Sequence, residues 1–174
     1  QWVGPPQRCW RLTAQAPSNA SSLGRLREVV PAADPSIRQS ADGLHLRYNR
    51  FTIDGRPADI VLDISIAAAD GDFAFTFTVE NQSPDWILRE LRGPIIRVDL
   101  DEPAHPALIW PSFGGMKLAD AARAGVLSES YPSGLAFSWM GLDYGASGLY
   151  MAAHDSELET IQLNAGADPV GQEI

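Results

Sequence analysis

The stretch that decides the fold is residues 60–79, which read IVLDISIAAADGDFAFTFTV. Apolar residues occupy alternate positions on both sides of a central Asp70-Gly71-Asp72. Alternation places one side of each strand against a core, and Asp and Gly accept the positive φ that a tight hairpin turn requires. The stretch therefore predicts two strands paired antiparallel. Their shared buried face is expected to hold Ile60, Leu62, Ile64, Ile66, Phe73, Phe75, Phe77 and Val79.

The same period of two recurs on either side of this hairpin. Leu44, Leu46 and Tyr48 alternate with polar residues before it. Further short strands are expected at residues 86–91, 95–100, 136–142, 149–154 and 160–163. Helix is expected only as a short segment within residues 21–30 and a turn or two within residues 116–127. Many short strands separated by turns predict an all-β, antiparallel β-sandwich.

Composition changes near residue 42, which suggests a division of the chain. Residues 1–42 are rich in Pro, Ala and Ser, and prolines interrupt any regular pattern there. The expected organisation is a partly irregular N-terminal segment at 1–42 and a β-sandwich domain at 43–174.

Charge and length exclude several classes of function. The chain has 174 residues, with 13 Lys and Arg against 22 Asp and Glu, and a formal net charge of −9. An acidic surface argues against nucleic acid or an anionic membrane as partner. A (β/α)₈ barrel needs about 200 to 250 residues, so this chain cannot contain one. It begins with Gln1, and we expect a processed or excised portion of a longer product, whose compartment the sequence leaves open.

Motifs of catalysis and metal binding are missing from the sequence. Cys9 is the only cysteine, and GxSxG, Walker A, HExxH and GxGxxG motifs are absent. The run from Asp99 to His105 is rich in oxygen and nitrogen donors but matches no metal-site spacing. His154 and Asp155 are adjacent, and adjacent strand residues point to opposite faces. We therefore expect no catalytic residue, no metal and no cofactor in this chain.

Aromatic residues carry the strongest functional signal. Trp and Tyr rings offer flat apolar surfaces to the C–H faces of sugars, although in a sandwich most such rings belong to the core. Trp110 lies in a loop held by Pro111, Gly114 and Gly115. The residues expected to bind substrate are Trp110, Phe113, Trp139 and His154.

Four segments together resemble a known family. They are LIWPSFGGM at 108–116, YPSG at 131–134, FSWM at 137–140 and GLYMAAHD at 148–155. This set is similar to the N-terminal, galactose-mutarotase-like β-supersandwich of large bacterial glycoside hydrolases. Those enzymes include relatives of endo-α-N-acetylgalactosaminidase and uncharacterised glycosidase-like families. The resemblance covers roughly residues 43–163.

The resemblance implies a non-catalytic domain that packs on a (β/α)₈ catalytic domain of the same parent protein. The loop at 110–115 would then lie at the domain interface or at the rim of the substrate cleft, while the nucleophile and general acid belong to the barrel. The chain ends before a supersandwich of usual size would be finished. We therefore expect either a sandwich incomplete at its C-terminus or a smaller variant of the fold.

Two alternatives to this hypothesis stay open. An independent carbohydrate-binding module would use exposed aromatic residues such as Trp110 or Trp139, and a coplanar exposed aromatic pair would favour it. A sandwich that binds another protein would instead use the aromatic residues as its interface.

Overall fold

The computed structural model describes residues 8–17, 25–98, 106–154 and 160–166, and it confirms an all-β, antiparallel architecture. The strands in chain order are β1 (Arg11–Gln15), β2 (Arg27–Glu28), β3 (Val30–Pro31), β4 (Ser36–Ser40), β5 (Gly43–Tyr48), β6 (Phe51–Ile53), β7 (Arg56–Ala58), β8 (Ile60–Ala69), β9 (Asp72–Asn81), β10 (Ile87–Arg92), β11 (Ala107–Trp110), β12 (Met116–Leu118), β13 (Leu127–Tyr131), β14 (Trp139–Asp143), β15 (Gly148–Ala152) and β16 (Ile161–Ala165). Within these residues no helix is long and apolar enough to cross a membrane.

The chain divides into two compact units, Gln1–Arg97 and Val98–Ile174. This division does not coincide with the one expected near residue 42. Strand β1 lies within the segment expected to be partly irregular, where it pairs with β10 and places Leu12 and Ala14 in a core. The five residues of β1 are too few to show a clear two-residue alternation in a segment so rich in proline and alanine, so the sequence does not predict this strand.

The first unit contains sheets of strand order β10-β1-β2, β4-β5-β8-β9 and β3-β6-β7. Its core combines Leu12 from the first sheet with Leu62 and Ile64 from the second, so these sheets pack in a sandwich-like arrangement. The buried residues of this core are Trp10, Leu12, Ala14, Val29, Phe51, Ile53, Ala58, Ile60, Leu62 and Ile64.

The hairpin of β8 and β9 forms as its sequence predicts. Asp70 and Gly71 have φ of 54° and 91°, and the cross-strand pairs include Leu62 with Val79 and Ile64 with Phe77. The apolar residues of both strands therefore share one face. That face is less buried than expected.

Phe73 is 69% exposed, and Phe75, Phe77 and Val79 are only partly buried. Strands β8 and β9 have ten residues each, whereas β1 has five and β10 has six. The turn end of the longer hairpin consequently extends beyond the facing sheet. The buried face predicted for these strands is therefore only partly enclosed at Phe75.

The structure corrects two other local predictions and confirms a third. In the described part of residues 21–30 the chain forms β2 and begins β3, and residues 21–24 lie outside the described ranges. Residues 116–127 contain β12 and, as expected, one helical turn, a 3₁₀ turn at Ala121–Arg123 where the Asp120 carboxylate accepts a hydrogen bond from Ala122 N. Residues 95–98 are not strand, and residues 99–100 lie outside the described part.

The second unit contains a four-stranded sheet of order β12-β11-β14-β15 and the pair β13-β16. Trp110 from the sheet and Leu163 from the pair meet in one core together with Leu135. The predicted hairpin around residues 143–148 is confirmed, since β14 and β15 pair antiparallel. Its turn is closed by a hydrogen bond from Tyr144 N to Ser147 O at 2.9 Å.

Two glycines of the first unit provide a test of this backbone. Gly43 has φ of 143°, and a Cβ there would overlap the Ile66 carbonyl oxygen on the neighbouring strand. Gly55 has φ of 76°, with open space around its Cβ direction among the described residues. We expect Gly55→Ala to lower the free energy of unfolding by about 1–2 kcal/mol from backbone strain alone. Gly43→Ala should cost more, because the β5–β8 pairing must also move.

Denaturant titration of both variants measures this difference. Equal losses for the two substitutions would show that the close approach of Gly43 to β8 is wrong.

Candidate functional site

The two faces of the four-stranded sheet in the second unit differ sharply in environment. Successive strand residues point to opposite sides. On β14, Met140 packs against the core that contains Trp110. Its neighbours Trp139 and Gly141, together with Asp143, therefore lie on the opposite side, which we call the outer face.

Three aromatic side chains form a continuous surface on this face. Trp139 and Phe137 stack with ring centroids 6.4 Å apart and planes 27° apart. Trp139 and Tyr150 lie 5.7 Å apart at 38°. Phe137 and Tyr150 are 59% and 62% exposed. We call this set the aromatic face; its neighbouring rings are tilted only moderately from one another, and the central ring, Trp139, is half-buried between two exposed ones.

Strand register explains how these rings come together. Tyr150 on β15 is the cross-strand partner of Gly141 on β14, and Gly141 is also the partner of Ile109 on β11. Ile109 in turn faces Lys117 on β12. These residues form one row across the sheet, with Trp139 diagonal to Tyr150. Because Gly141 has no side chain, no side chain stands between Tyr150 and Ile109 in this row.

An ion pair on the same outer face connects Lys117, at the end of this row, with Asp143 in the next row. Lys117 Nζ donates to Asp143 Oδ2 at 2.7 Å, and Gly145 N donates to Asp143 Oδ1 at 2.8 Å. The hydrogen bond from Lys117, followed by that from Gly145 and the Lys117 charge, lowers the pKa of Asp143 below its ordinary value of 3.8. The carboxylate therefore stays ionised through mildly acidic pH.

The structure brings one predicted site residue directly to this face and leaves two others accessible. Trp139 is the central ring of the aromatic face. His154 is exposed and follows β15. The residue before it, Ala153, donates its backbone N–H to Ser138 O at 2.9 Å, which brings the end of β15 next to Phe137. Phe113 is exposed in the turn between β11 and β12, which Gly114 and Gly115 form with positive φ. Binding roles for these residues remain predictions.

The prediction for Trp110 needs correction. Its side chain is 0% exposed and packs with Leu135 and Leu163, so it has no surface to offer a ligand. Trp110 is the last residue of β11, and it points away from the outer face because its neighbour Ile109 lies on that face. The glycines of the following turn shape the hairpin without exposing the indole.

Phe137 and Tyr150 complete the aromatic face, and neither was among the predicted site residues. The position of the hairpin turn in the sequence predicts which residues lie beside Trp139. A turn centred between residues 145 and 146 pairs residue 141 with 150, which places Tyr150 beside Trp139 on one face. The spacing of Phe137 and Trp139, two residues apart, favours the same side of the chain.

Other groups give weaker candidates. The donor-rich run at 99–105 and Asp155 lie outside the described residues. Among the residues that are described, no three His, Cys, Asp or Glu side chains are close enough to hold a metal ion. Burial raises the pKa of the Cys9 thiol, which disfavours the reactive thiolate.

The first unit has an open depression of about 580 Å³ lined by loop residues and by parts of β6 and β7. Arg50, Asp59 and Asp85 contribute charged groups to its lining. Its aromatic lining residue, Phe51, is 2% exposed and belongs to the core. This depression therefore lacks the exposed rings that distinguish the aromatic face.

No family model matches this chain, and neither the curated proteins nor the solved structures contain a significant match.

The burial of Trp110 predicts a large effect on stability. We expect Trp110→Ala to lower the free energy of unfolding by about 3–5 kcal/mol, because the cavity removes the centre of a small core. The matched control is Phe113→Ala, an exposed aromatic three residues away, which should change it by at most about 0.5 kcal/mol. Denaturant unfolding of the two variants measures both values. Similar, small effects would place Trp110 at the surface.

Proposed function

We propose that this chain is a non-catalytic, carbohydrate-binding β-sandwich protein whose ligand lies on the aromatic face of the second unit. The observation that carries the proposal is the half-buried ring of Trp139 between the exposed rings of Phe137 and Tyr150, which are tilted 27° and 38° from it. Exposed aromatic residues on one face support the alternative of a carbohydrate-binding module.

The chemistry of the face suits a sugar. A pyranose has flat C–H surfaces that stack on aromatic rings, and hydroxyl groups at its edge that need polar partners. The aromatic face supplies rings, and the Lys117–Asp143 pair beside it supplies a donor and an acceptor. Gly141 places no side chain between the ring of Tyr150 and Ile109.

A protein interface fits these features less well. Stable protein–protein interfaces bury about 800 Å² on each partner and have cores depleted in charged residues. The aromatic face is built from three adjacent rings, with an ionised pair on the same sheet. A narrow stacking platform with polar groups beside it is typical of small-molecule and glycan recognition.

We further propose that the parent protein is a glycoside hydrolase and that this domain accompanies its barrel. Support for this part comes from the resemblance of residues 108–155 to supersandwich domains of such enzymes. In that setting the aromatic face would hold a glycan chain near the catalytic domain. Any contribution of the loop at 110–115 would come from Phe113, since Trp110 is buried.

A substitution on the aromatic face tests the binding site. We expect Trp139→Ala to weaken glycan binding at least tenfold, about 1.4 kcal/mol, because the central ring contacts both of its neighbours. Phe73→Ala, which removes an exposed ring of the first unit, is the matched control and should leave affinity unchanged. Glycan-array screening followed by calorimetric titration gives the affinities. Equal affinity of the two variants would exclude the aromatic face.

The chain should also have no glycosidase activity of its own. Hydrolysis requires two carboxyl groups that converge on the glycosidic bond at about 5 to 9.5 Å from each other. We expect purified protein to leave aryl glycosides and bound oligosaccharides intact, as measured by chromophore release and by chromatography of reducing ends. Turnover that disappears when one of its own carboxylates is replaced would refute the proposal that the domain is non-catalytic.

A further inference from the structure

We propose, building on the function above, that Lys117 and Asp143 are specificity-determining residues that engage neighbouring hydroxyl groups of a neutral oligosaccharide stacked on the aromatic face. The inference rests on three observations: the position of the pair on the sheet, its unused hydrogen-bonding capacity, and its charge.

The position of the pair sets the length of the ligand. Residues two apart on a strand are separated by about 7 Å, and neighbouring strands by about 4.8 Å. Asp143 lies on the strand next to that of Tyr150 and two residues further along it. Along β14 itself, Asp143 is four residues, about 14 Å, from Trp139. A single sugar ring cannot cover Trp139 and reach Asp143. A ligand that uses both must be an oligosaccharide whose chain follows β14.

The hydrogen-bonding capacity of the pair matches a diol. A carboxylate has about four lone-pair sites, and those of Asp143 receive hydrogen bonds from Lys117 and Gly145. The Lys117 ammonium has three donors, of which Asp143 occupies one. With respect to the residues that the structure describes, acceptor sites of Asp143 and donors of Lys117 are thus left over side by side. Of two neighbouring sugar hydroxyls, one can donate a hydrogen bond to Asp143 and the other can accept one from Lys117.

Charge favours a neutral glycan over an acidic one. Lys117 is the only lysine of the chain, and its charge is balanced by Asp143 at 2.7 Å. The protein as a whole carries a formal charge of −9. A uronic acid in this position would meet the Asp143 carboxylate, and the Lys117 charge beside it is already paired with that carboxylate.

The first unit offers a matched ion pair for comparison. Arg47 Nη1 donates to Asp63 Oδ2 at 2.7 Å, with side-chain exposures of 51% and 35% against 63% and 32% for Lys117 and Asp143. Asp63 shares its sheet side with Ser65, which contacts His45, so this pair lies on a polar surface. Both pairs are partly exposed, and the ion pairs themselves contribute little to stability. Asp143 differs from Asp63 in that it also accepts a hydrogen bond from Gly145 N in its turn. Asp143→Asn therefore breaks an ion pair beside the aromatic face, and Asp63→Asn makes the same chemical change on a polar surface.

The experiment measures the affinity of the full chain for β-linked gluco-, manno- and xylohexaose, for their monosaccharides, and for hexagalacturonate. Wild-type protein should bind at least one neutral hexasaccharide, and bind its monosaccharide and hexagalacturonate at least tenfold more weakly. Asp143→Asn should weaken that neutral binding about fivefold or more and reduce the preference among the three neutral sugars. Asp63→Asn should change neither. Lys117→Gln provides a second variant, and circular dichroism verifies that each variant is folded.

The outcomes separate this inference from the proposed function. If Asp143→Asn and Lys117→Gln bind like Asp63→Asn while Trp139→Ala loses affinity, the ion pair has no role in recognition and the aromatic face stands. Preference for hexagalacturonate would overturn the assignment to neutral glycans. Absence of binding by wild-type protein to all of these sugars and to a glycan array would overturn both proposals.

Discussion

The register of the β14–β15 hairpin is the constraint on which the second unit depends. Side chains alternate with a period of two, so a slip of one residue would exchange every side chain between the core and the outer face. In the observed register Met140 faces the core with Trp110, while Trp139 and Tyr150 meet on the outside. The turn that sets this register is held by Asp143, which accepts from Gly145 N, and by the Tyr144–Ser147 backbone bond.

This arrangement links local turn chemistry to the proposed site. Asp143 closes the turn through one carboxylate oxygen and bonds Lys117 on β12 through the other. The same side chain therefore helps to fix the hairpin register and forms the polar end of the outer face. A binding site on paired strands is more rigid than one on a loop, because each ring position is set by cross-strand neighbours.

The two tryptophans of the resemblance, Trp110 and Trp139, show why residue type alone does not define a site. Each lies at the end of a short strand of the same sheet, and each was a candidate for ligand binding. Trp110 is enclosed by Leu135 and Leu163, whereas Trp139 contacts Phe137 and Tyr150 on the outside. The two residues lie on opposite faces of the sheet. Side chains alternate along a strand, so the number of residues between each tryptophan and its turn decides which face it takes.

The sequence by itself determined the all-β class, the β8–β9 hairpin with its Asp70-Gly71 turn, and the β14–β15 hairpin. These follow from local alternation and turn chemistry, which need no distant partner. Only the tertiary structure decided that β1 joins the first core, that Phe73 extends beyond its facing sheet, and that Trp110 is buried while Trp139 is not. Burial depends on what packs over a face, and strands distant in sequence supply that cover. Local periodicity defines two sides of a strand, but it contains no information on which side another sheet will cover.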